Sequence, residues 1–199
     1  MSRVSMMEFM SRCWPKMYVY LQQREIVQSV EENDETIVRA GNMLGKDYIS
    51  ARIAIAFFMT RHPCRVVTTS VDGEQLSKVL WGEIGQAIQE AEYELPFVVN
   101  HLDVKKIVRG QVCPLSYLTG RVASKENKGA GLLGHHLPRG PFGESRTLAL
   151  IDECSAFSDD YYEKMQTWAH RTLAIGNPFD CQNFFRRYSK QGDVARVSS

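Results

Sequence analysis

Ala40-Gly41-Asn42-Met43-Leu44-Gly45-Lys46-Asp47 lies between a short β-type run, Thr36–Arg39, and a strongly apolar helical segment. A triphosphate is held by backbone N–H groups turned inward, a fixed cation over the outer phosphates and a helix N-terminus beneath them. Gly41 and Gly45 permit the close backbone approach, Lys46 supplies the cation, and the helix from Asp47 supplies the dipole. The pattern G-x-x-x-x-G-K-[ST] has a final hydroxyl that binds Mg²⁺. This stretch departs from it twice, with Ala40 at the first glycine position and Asp47 at the hydroxyl position. Ala40 is a mild change if its φ is negative. A carboxylate at 47 can ligate Mg²⁺ but adds negative charge beside phosphates. It therefore implies either tighter metal dependence or a damaged site, and Asp47 as a plain helix cap is the bland alternative.

The second informative stretch is Leu148-Ala149-Leu150-Ile151-Asp152-Glu153, a near-continuous apolar strand that ends in two acids. Such a run suits a parallel sheet covered on both faces. If the acids continue the strand, they point to opposite sides and can take separate tasks. The first would hold a magnesium water shell, and the second would orient and deprotonate an attacking water. Phosphoryl transfer needs little more than such positioning and charge stabilisation. Solvated acids at a strand end are the alternative.

Outward from these two stretches, the chain alternates between helical and strand patterns. Tyr20–Glu32 carries Leu21, Ile26, Val27 and Val30 at helical spacing, and Glu35–Arg39 is a short buried strand. A broad-faced helix spans Asp47–Thr60, ended by His62-Pro63, and Arg65–Ser70 is a second strand. After the Asp72-Gly73 turn, Glu74–Ala91 is amphipathic through Leu76, Val79, Leu80, Ile84, Ala87, Ile88 and Ala91. Short runs at Phe97–Val99, Lys106–Val108, Ser116–Leu118 and Val122–Ala123 predict further, partly antiparallel strands. Ser124–Ser145 is loop; Thr147–Ile151 is a strand, Asp159–His170 a helix and Thr172–Ile175 a strand that ends at Gly176-Asn177-Pro178. The methionine-rich residues 1–17 have no clear period and are expected to dock loosely. The alternation predicts one doubly wound α/β domain over all 199 residues, with an N-terminal segment 1–19, a core 20–185 and a tail 186–199.

Composition narrows the classes. A net charge of +1 gives no overall basic field, so contact with nucleic acid would come from local patches and be salt-sensitive. The five cysteines are scattered without metal-binding spacing, as in a reduced compartment. No apolar run approaches the ~20 residues that span a bilayer, so the expectation is a soluble, cytoplasmic protein without membrane contact. His135 and His136 read as packing or surface histidines, and Trp81 and Trp168 as core. The groups Lys105-Lys106-Arg109, Lys125-Lys128 and Arg186-Arg187-Lys190 could touch phosphate backbones, although most such clusters are solvated surface.

The ordered set VRAGNMLGKD, RVVTTS, GLLGHH, LALIDE and LAIGNP resembles the ATPase motor domain of the large terminase subunit of tailed bacteriophages. The resemblance runs from about Gln22 to Phe185. It implies an ASCE-type P-loop NTPase, with a mainly parallel twisted sheet sandwiched between helices, that couples Mg-ATP hydrolysis to translocation of double-stranded DNA. It assigns nucleotide contact to Gly41, Asn42, Met43, Leu44, Gly45, Lys46, Asp47 and Tyr48, with Lys46 as the phosphate lysine. Asp47 and Asp152 become metal ligands, Glu153 the catalytic base, Gln23 the adenine-recognising glutamine and Asn177 a coupling residue. Partners implied are a homo-oligomeric ring on a portal and a small terminase subunit, in the host cytoplasm if the chain is viral. Many members carry an arginine four residues before the lysine, where this chain has Asn42. A charge-stabilising arginine would then be Arg39 in cis, or Arg121, Arg139 or Arg146 from a neighbouring subunit. The family's RNase H-like nuclease domain has no counterpart here. The expectation is an isolated motor domain, one part of a split gene with a separate nuclease chain, or a non-catalytic nucleotide-binding remnant.

Overall fold

The computed structural model describes residues 4–40, 45–124, 129–177, 181–188 and 195–198. Its frame is an eight-stranded sheet: β1 Glu35–Arg39, β2 Arg65–Ser70, β3 Phe97–Asn100, β4 Asp103–Val108, β5 Gln111–Val122, β6 Thr147–Ile151, β7 Arg171–Gly176 and β8 Ala195–Ser198. The spatial order is β3-β4-β5-β2-β6-β7-β1-β8. All pairings from β5 to β8 are parallel, and the hairpin β3–β4 joins antiparallel at the β5 side. A mainly parallel sheet must be covered on both faces, and the strand residues divide accordingly. Val38, Val66, Leu148, Leu150, Leu173 and Ile175 enter one core. Ile37, Val67, Ala149, Ile151 and Ala174 enter the other. This period-2 alternation, with both sets buried, explains why β6 is apolar at every position.

The first face is covered by helices α1 Met6–Cys13, α2 Leu21–Glu32, α3 Lys46–Met59 and α4 Trp81–Gln89. α3 is the innermost: Ile49, Ala51, Ile53, Ala54, Ile55, Ala56, Phe57 and Phe58 are all buried, so it has no solvent face of its own. Each large apolar side chain removed from water there contributes about 1.5–3 kcal/mol. The second face is covered by α5 Asp159–Gln166 and α6 Phe184–Tyr188, with Phe157, Tyr162 and Phe184 packed beneath them. Tyr162 and Phe184 stack with ring centroids 3.8 Å apart.

Several expectations need correction. Of the segment 1–17, expected to dock loosely, the described residues 4–17 pack firmly: Met6, Phe9, Met10, Cys13 and Trp14 are buried in the same core as α3, and the Trp14 indole N–H donates to the Ala87 carbonyl at 2.8 Å. Their apolar positions fit an eight-residue helix capped by Ser5, too short to stand out in a window of helical period. The expected helix 74–91 begins instead with a π-helical turn, Gln75–Leu80, before α4. That wider turn leaves Val79 37% exposed despite its place in the apolar register, and Leu21 of α2 is likewise exposed. The runs Ser116–Leu118 and Val122–Ala123 are not separate strands; all but Ala123 belong to the twelve-residue β5. The helix predicted to His170 stops at Gln166, and His170 leads directly into β7.

The topology places the candidate residues at one edge. β1, β2, β6 and β7 run in the same direction, so their carboxyl ends, at Arg39, Ser70, Ile151 and Gly176, lie together, with β7 between β1 and β6. In open α/β sheets ligands bind outside such ends.

Candidate functional site

β1 delivers the chain to the loop, and Ala40 N–H continues the ladder by donating to the Gly176 carbonyl at 3.1 Å. Gly41, Asn42, Met43 and Leu44 lie outside the described residues, so the phosphate-loop reading of those four stays an expectation. Gly45 is the N-cap of α3 with φ +69°, in the left-handed region that favours glycine. A Cβ there would also come 3.2 Å from Nε2 of Gln23. The glycine is thus required by its backbone and by its neighbour.

Lys46, the first residue of α3, is buried and ion-paired with Oε1 of Glu153. Burial opposes its charge, but the bond to Glu153 and the charges of Asp152, Glu153 and Asp47 outweigh that, so its pKa stands above the ordinary lysine value. Asp152 is 3% exposed. Its backbone N–H donates to the Thr69 carbonyl (2.9 Å), Oδ1 accepts from the Glu153 N–H (2.9 Å) and Oδ2 accepts from Nε2 of Gln75 (3.2 Å). Burial first, then the charge on Asp47, raise its pKa from 3.8 to about 6. Asp47 is raised in the same direction by burial, and further by Glu153, against Lys46. One cation and three carboxylates therefore share this corner.

Asp152 and Glu153 do separate, but not by strand alternation. β6 ends at Ile151, and Glu153 adopts φ +51°, ψ +44°, a left-handed conformation uncommon for a residue with a Cβ. That bend turns Glu153 back to Lys46 while Asp152 faces Gln75. Backbone strain of this kind gathers at functional sites.

A cavity of about 820 Å³ opens beside Lys46, lined by Tyr18, Tyr20, Gln22, Gln23, Ile26, Val38, Arg39, Ala40, Gly45, Lys46, Tyr48, Ile49 and Ile175. It has the size of a small-molecule site. Gln23 and Tyr48 are in its wall; Asp47, Asp152 and Glu153 are not, and connect to it through Lys46. Gln23 is buried and accepts from the Tyr20 N–H at 3.2 Å, which fixes its amide at the cavity wall. Tyr18 and Tyr20, an edge-to-face pair with centroids 4.9 Å apart, were not singled out by sequence. The other missed residue is Arg52 of α3, fully buried, paired with Glu90 (2.6 Å) and Glu83 (3.7 Å). Its guanidinium stacks 3.4 Å from the Tyr48 ring. Arg52 thereby ties the loop helix to α4. Gln75 was missed as well, although its place just past the carboxyl end of β2 is a usable signal.

Asn177, just past the end of β7, is buried, and its Oδ1 has no hydrogen-bond partner among the described residues. A buried acceptor without a donor is costly, and here it sits at the carboxyl edge beside the candidate corner. The arginines divide. Arg39 ends β1 and lines the cavity. Arg121, near the end of β5, is exposed and lines a separate groove with Gly131, Leu133 and His135. Arg146 immediately precedes β6 and pairs with Glu144 (3.5 Å), whereas Arg139 pairs with Asp34 (3.6 Å), which immediately precedes β1. Both lie at the amino ends of the strands, away from this chain's own site. His135 donates from Nε2 to the Gly131 carbonyl, accepts from Tyr117 and packs against Trp168, a structural role. Trp81 and Trp168 are buried in the core. Lys106 is spent on the Phe58 and Arg61 carbonyls beyond the end of α3. Lys125, Lys128, Pro178 and Lys190 lie outside the described residues.

Asp152 and Asp47 are the carboxylates that could hold a hard divalent cation, since each raises the cost of charge on the other and a cation would relieve it. Among the described residues no three His, Cys, Asp or Glu side chains form a closed metal cage. Mg²⁺ characteristically takes one or two carboxylates, water and substrate phosphates. No helix among the described residues is long and apolar enough to cross a membrane.

The fold is a mainly parallel α/β sheet covered by helices on both faces, with the candidate residues at its carboxyl edge. Three solved structures are similar to it. The large terminase of a thermophilic bacteriophage aligns over 92% of this chain and 45% of its own, with TM-score 0.70 and 10% identity. The same terminase in complex with ADP aligns over 91% and 45%, with TM-score 0.68 and 11% identity. The large terminase ATPase domain of Thermus phage P74-26 aligns over 94% and 74%, with TM-score 0.64 and 15% identity. The chain thus spans about half the length of the whole terminase. No family model matches the sequence, and no curated protein matches it. At these identities the likeness is one of fold.

Proposed function

We propose that this chain is an ATP-hydrolysing motor domain of the terminase type, coupling Mg-ATP hydrolysis to movement of double-stranded DNA. The observation that carries the reading is the convergence of Asp152 and Glu153 on Lys46, which lines the cavity, from two elements far apart in sequence. The terminase solved with ADP has the same fold, which supports a nucleotide in that cavity.

In this reading the base lies against Gln23 and the tyrosine pair, and the phosphates extend over Gly45 toward Lys46. Phosphate oxygens then compete with Glu153 for the Lys46 ammonium. Glu153, released from its ion pair, accepts a hydrogen bond from the attacking water and takes its proton. Asn177, whose side-chain carbonyl oxygen has no partner among the described residues, would orient that water. Asp152 and Asp47 would hold Mg²⁺, which would supply positive charge against that developing on the phosphate oxygens. The outer-phosphate charge also needs an arginine, Arg39 from this chain or Arg121, Arg139 or Arg146 from a neighbour in a ring. The reading carries the partners with it: double-stranded DNA, a portal and a small terminase subunit.

A second reading, a nucleotide-binding scaffold without turnover, is favoured by one feature: the same Lys46–Glu153 pair occupies both the phosphate lysine and the base. Phosphate release measured with Mg-ATP, with and without double-stranded DNA, separates the two. The motor reading expects DNA-stimulated release, and the scaffold reading expects nucleotide binding with none.

A further inference from the structure

We propose that Gln75 is a positioning residue for the metal-site acid. It holds Asp152 in the orientation that ligates a divalent cation on a bound nucleoside di- or triphosphate. The inference rests on the nucleotide-site reading above and adds a residue that neither motif nor fold assigns. Gln75 Nε2 donates to Oδ2 of Asp152 at 3.2 Å, while the other oxygen, Oδ1, is held at 2.9 Å by the Glu153 N–H. The carboxylate is therefore fixed at both ends, one by its neighbour's backbone and one by a side chain 77 positions away.

The placement of Gln75 is itself built. After β2, Oδ1 of Asp72 accepts from the N–H of Glu74 (2.7 Å) and of Gln75 (3.2 Å), which locks the turn. Gln75 then opens the π-helical turn Gln75–Leu80, whose Leu76 and Leu80 are buried in the core. π-turns within helices recur at functional sites, because the wider ring redirects the side chains around it. An amide donor suits this place. It satisfies a buried carboxylate oxygen without adding a positive charge to compete with a cation, and it leaves a second lone pair on that oxygen free. Outer partners that orient a ligating carboxylate typically alter metal affinity or activity by about 10–100-fold when removed.

The test is a calorimetric titration of the full chain with ADP, once in EDTA and once in saturating Mg²⁺, for wild type, Gln75→Met and Gln75→Glu. The ratio of the two dissociation constants reports what magnesium adds to binding. Gln75→Met keeps the length and removes the donor; Gln75→Glu keeps the shape and turns the donor into an acceptor facing a carboxylate. The expected result is ADP affinity in EDTA within about twofold of wild type, with the magnesium enhancement cut by about tenfold or more in both variants. An unchanged enhancement in Gln75→Met overturns the proposal. So does an equal loss with and without magnesium, which would mark Gln75 as a prop of the fold. A wild-type chain that binds no ADP overturns the nucleotide-site reading itself, a failure distinct from the others.

Discussion

Lys46 and Glu153 are 107 positions apart in sequence and ion-paired in the fold. The pairing follows from topology. α3 begins where β1 ends, Glu153 follows β6, and one parallel strand, β7, separates β1 from β6. The left-handed backbone at Glu153 completes the approach. Under the proposed function Lys46 and Glu153 hold each other until a phosphate competes for the lysine, which would tie the glutamate's work as a base to an occupied cavity.

Gly45 offers a local test. Its φ of +69° costs an L-residue about 1–2 kcal/mol, and an added Cβ meets the Gln23 amide at 3.2 Å. Gly45→Ala should weaken nucleotide binding by at least about tenfold while lowering Tm by only a few degrees. Calorimetry beside a thermal melt checks it. Binding equal to wild type would mean that the loop does not contact the ligand.

Asp152 sets a pH dependence of stability. In the fold it keeps its proton up to about pH 6, whereas the unfolded chain releases it near 3.8. Between those values the folded state binds more protons, so stability falls as pH rises. Its contribution is present in full below about pH 4 and lost through pH 6, with a ceiling of roughly 3 kcal/mol. Asp152→Asn should therefore be about as stable as wild type at pH 4 and more stable at pH 7. Urea melts at the two pH values measure this. Parallel pH profiles for the two proteins would contradict it.

α1 offers a test of packing. Met10 is 1% exposed in the core shared with α3. Met10→Ala should cost about 2–5 kcal/mol, read by urea denaturation. A segment merely resting on the surface would lose less than about 0.5 kcal/mol.

Much of this architecture is written locally in the sequence. ETIVR and RVVTTS are strands at the residues their β-branched density marks, and the apolar run of β6 reports burial on both faces. The candidate residues are marked by residue type and order: a lysine after a glycine turn, and two acids after an aliphatic strand. What was missed depends on geometry that no period encodes. The divergence of Asp152 and Glu153 comes from a left-handed residue, not from pleating. Gln75 is marked only by its place just past the carboxyl end of β2, because its contact with Asp152 arises only when β2 and β6 lie side by side. Arg52 reads as a stray charge on an apolar helix until α4 brings Glu83 and Glu90 to it. The helix α1 is legible only as a cluster of methionines, since eight residues give barely two turns of pattern.

The most direct test pairs ADP calorimetry with phosphate release for wild type, Lys46→Ala and Glu153→Gln. The account predicts that wild type binds ADP and turns over Mg-ATP, and that Lys46→Ala loses both. It predicts that Glu153→Gln keeps binding while turnover falls by about 10²–10⁴-fold. Turnover that persists in both variants would contradict a shared site for the lysine and the glutamate.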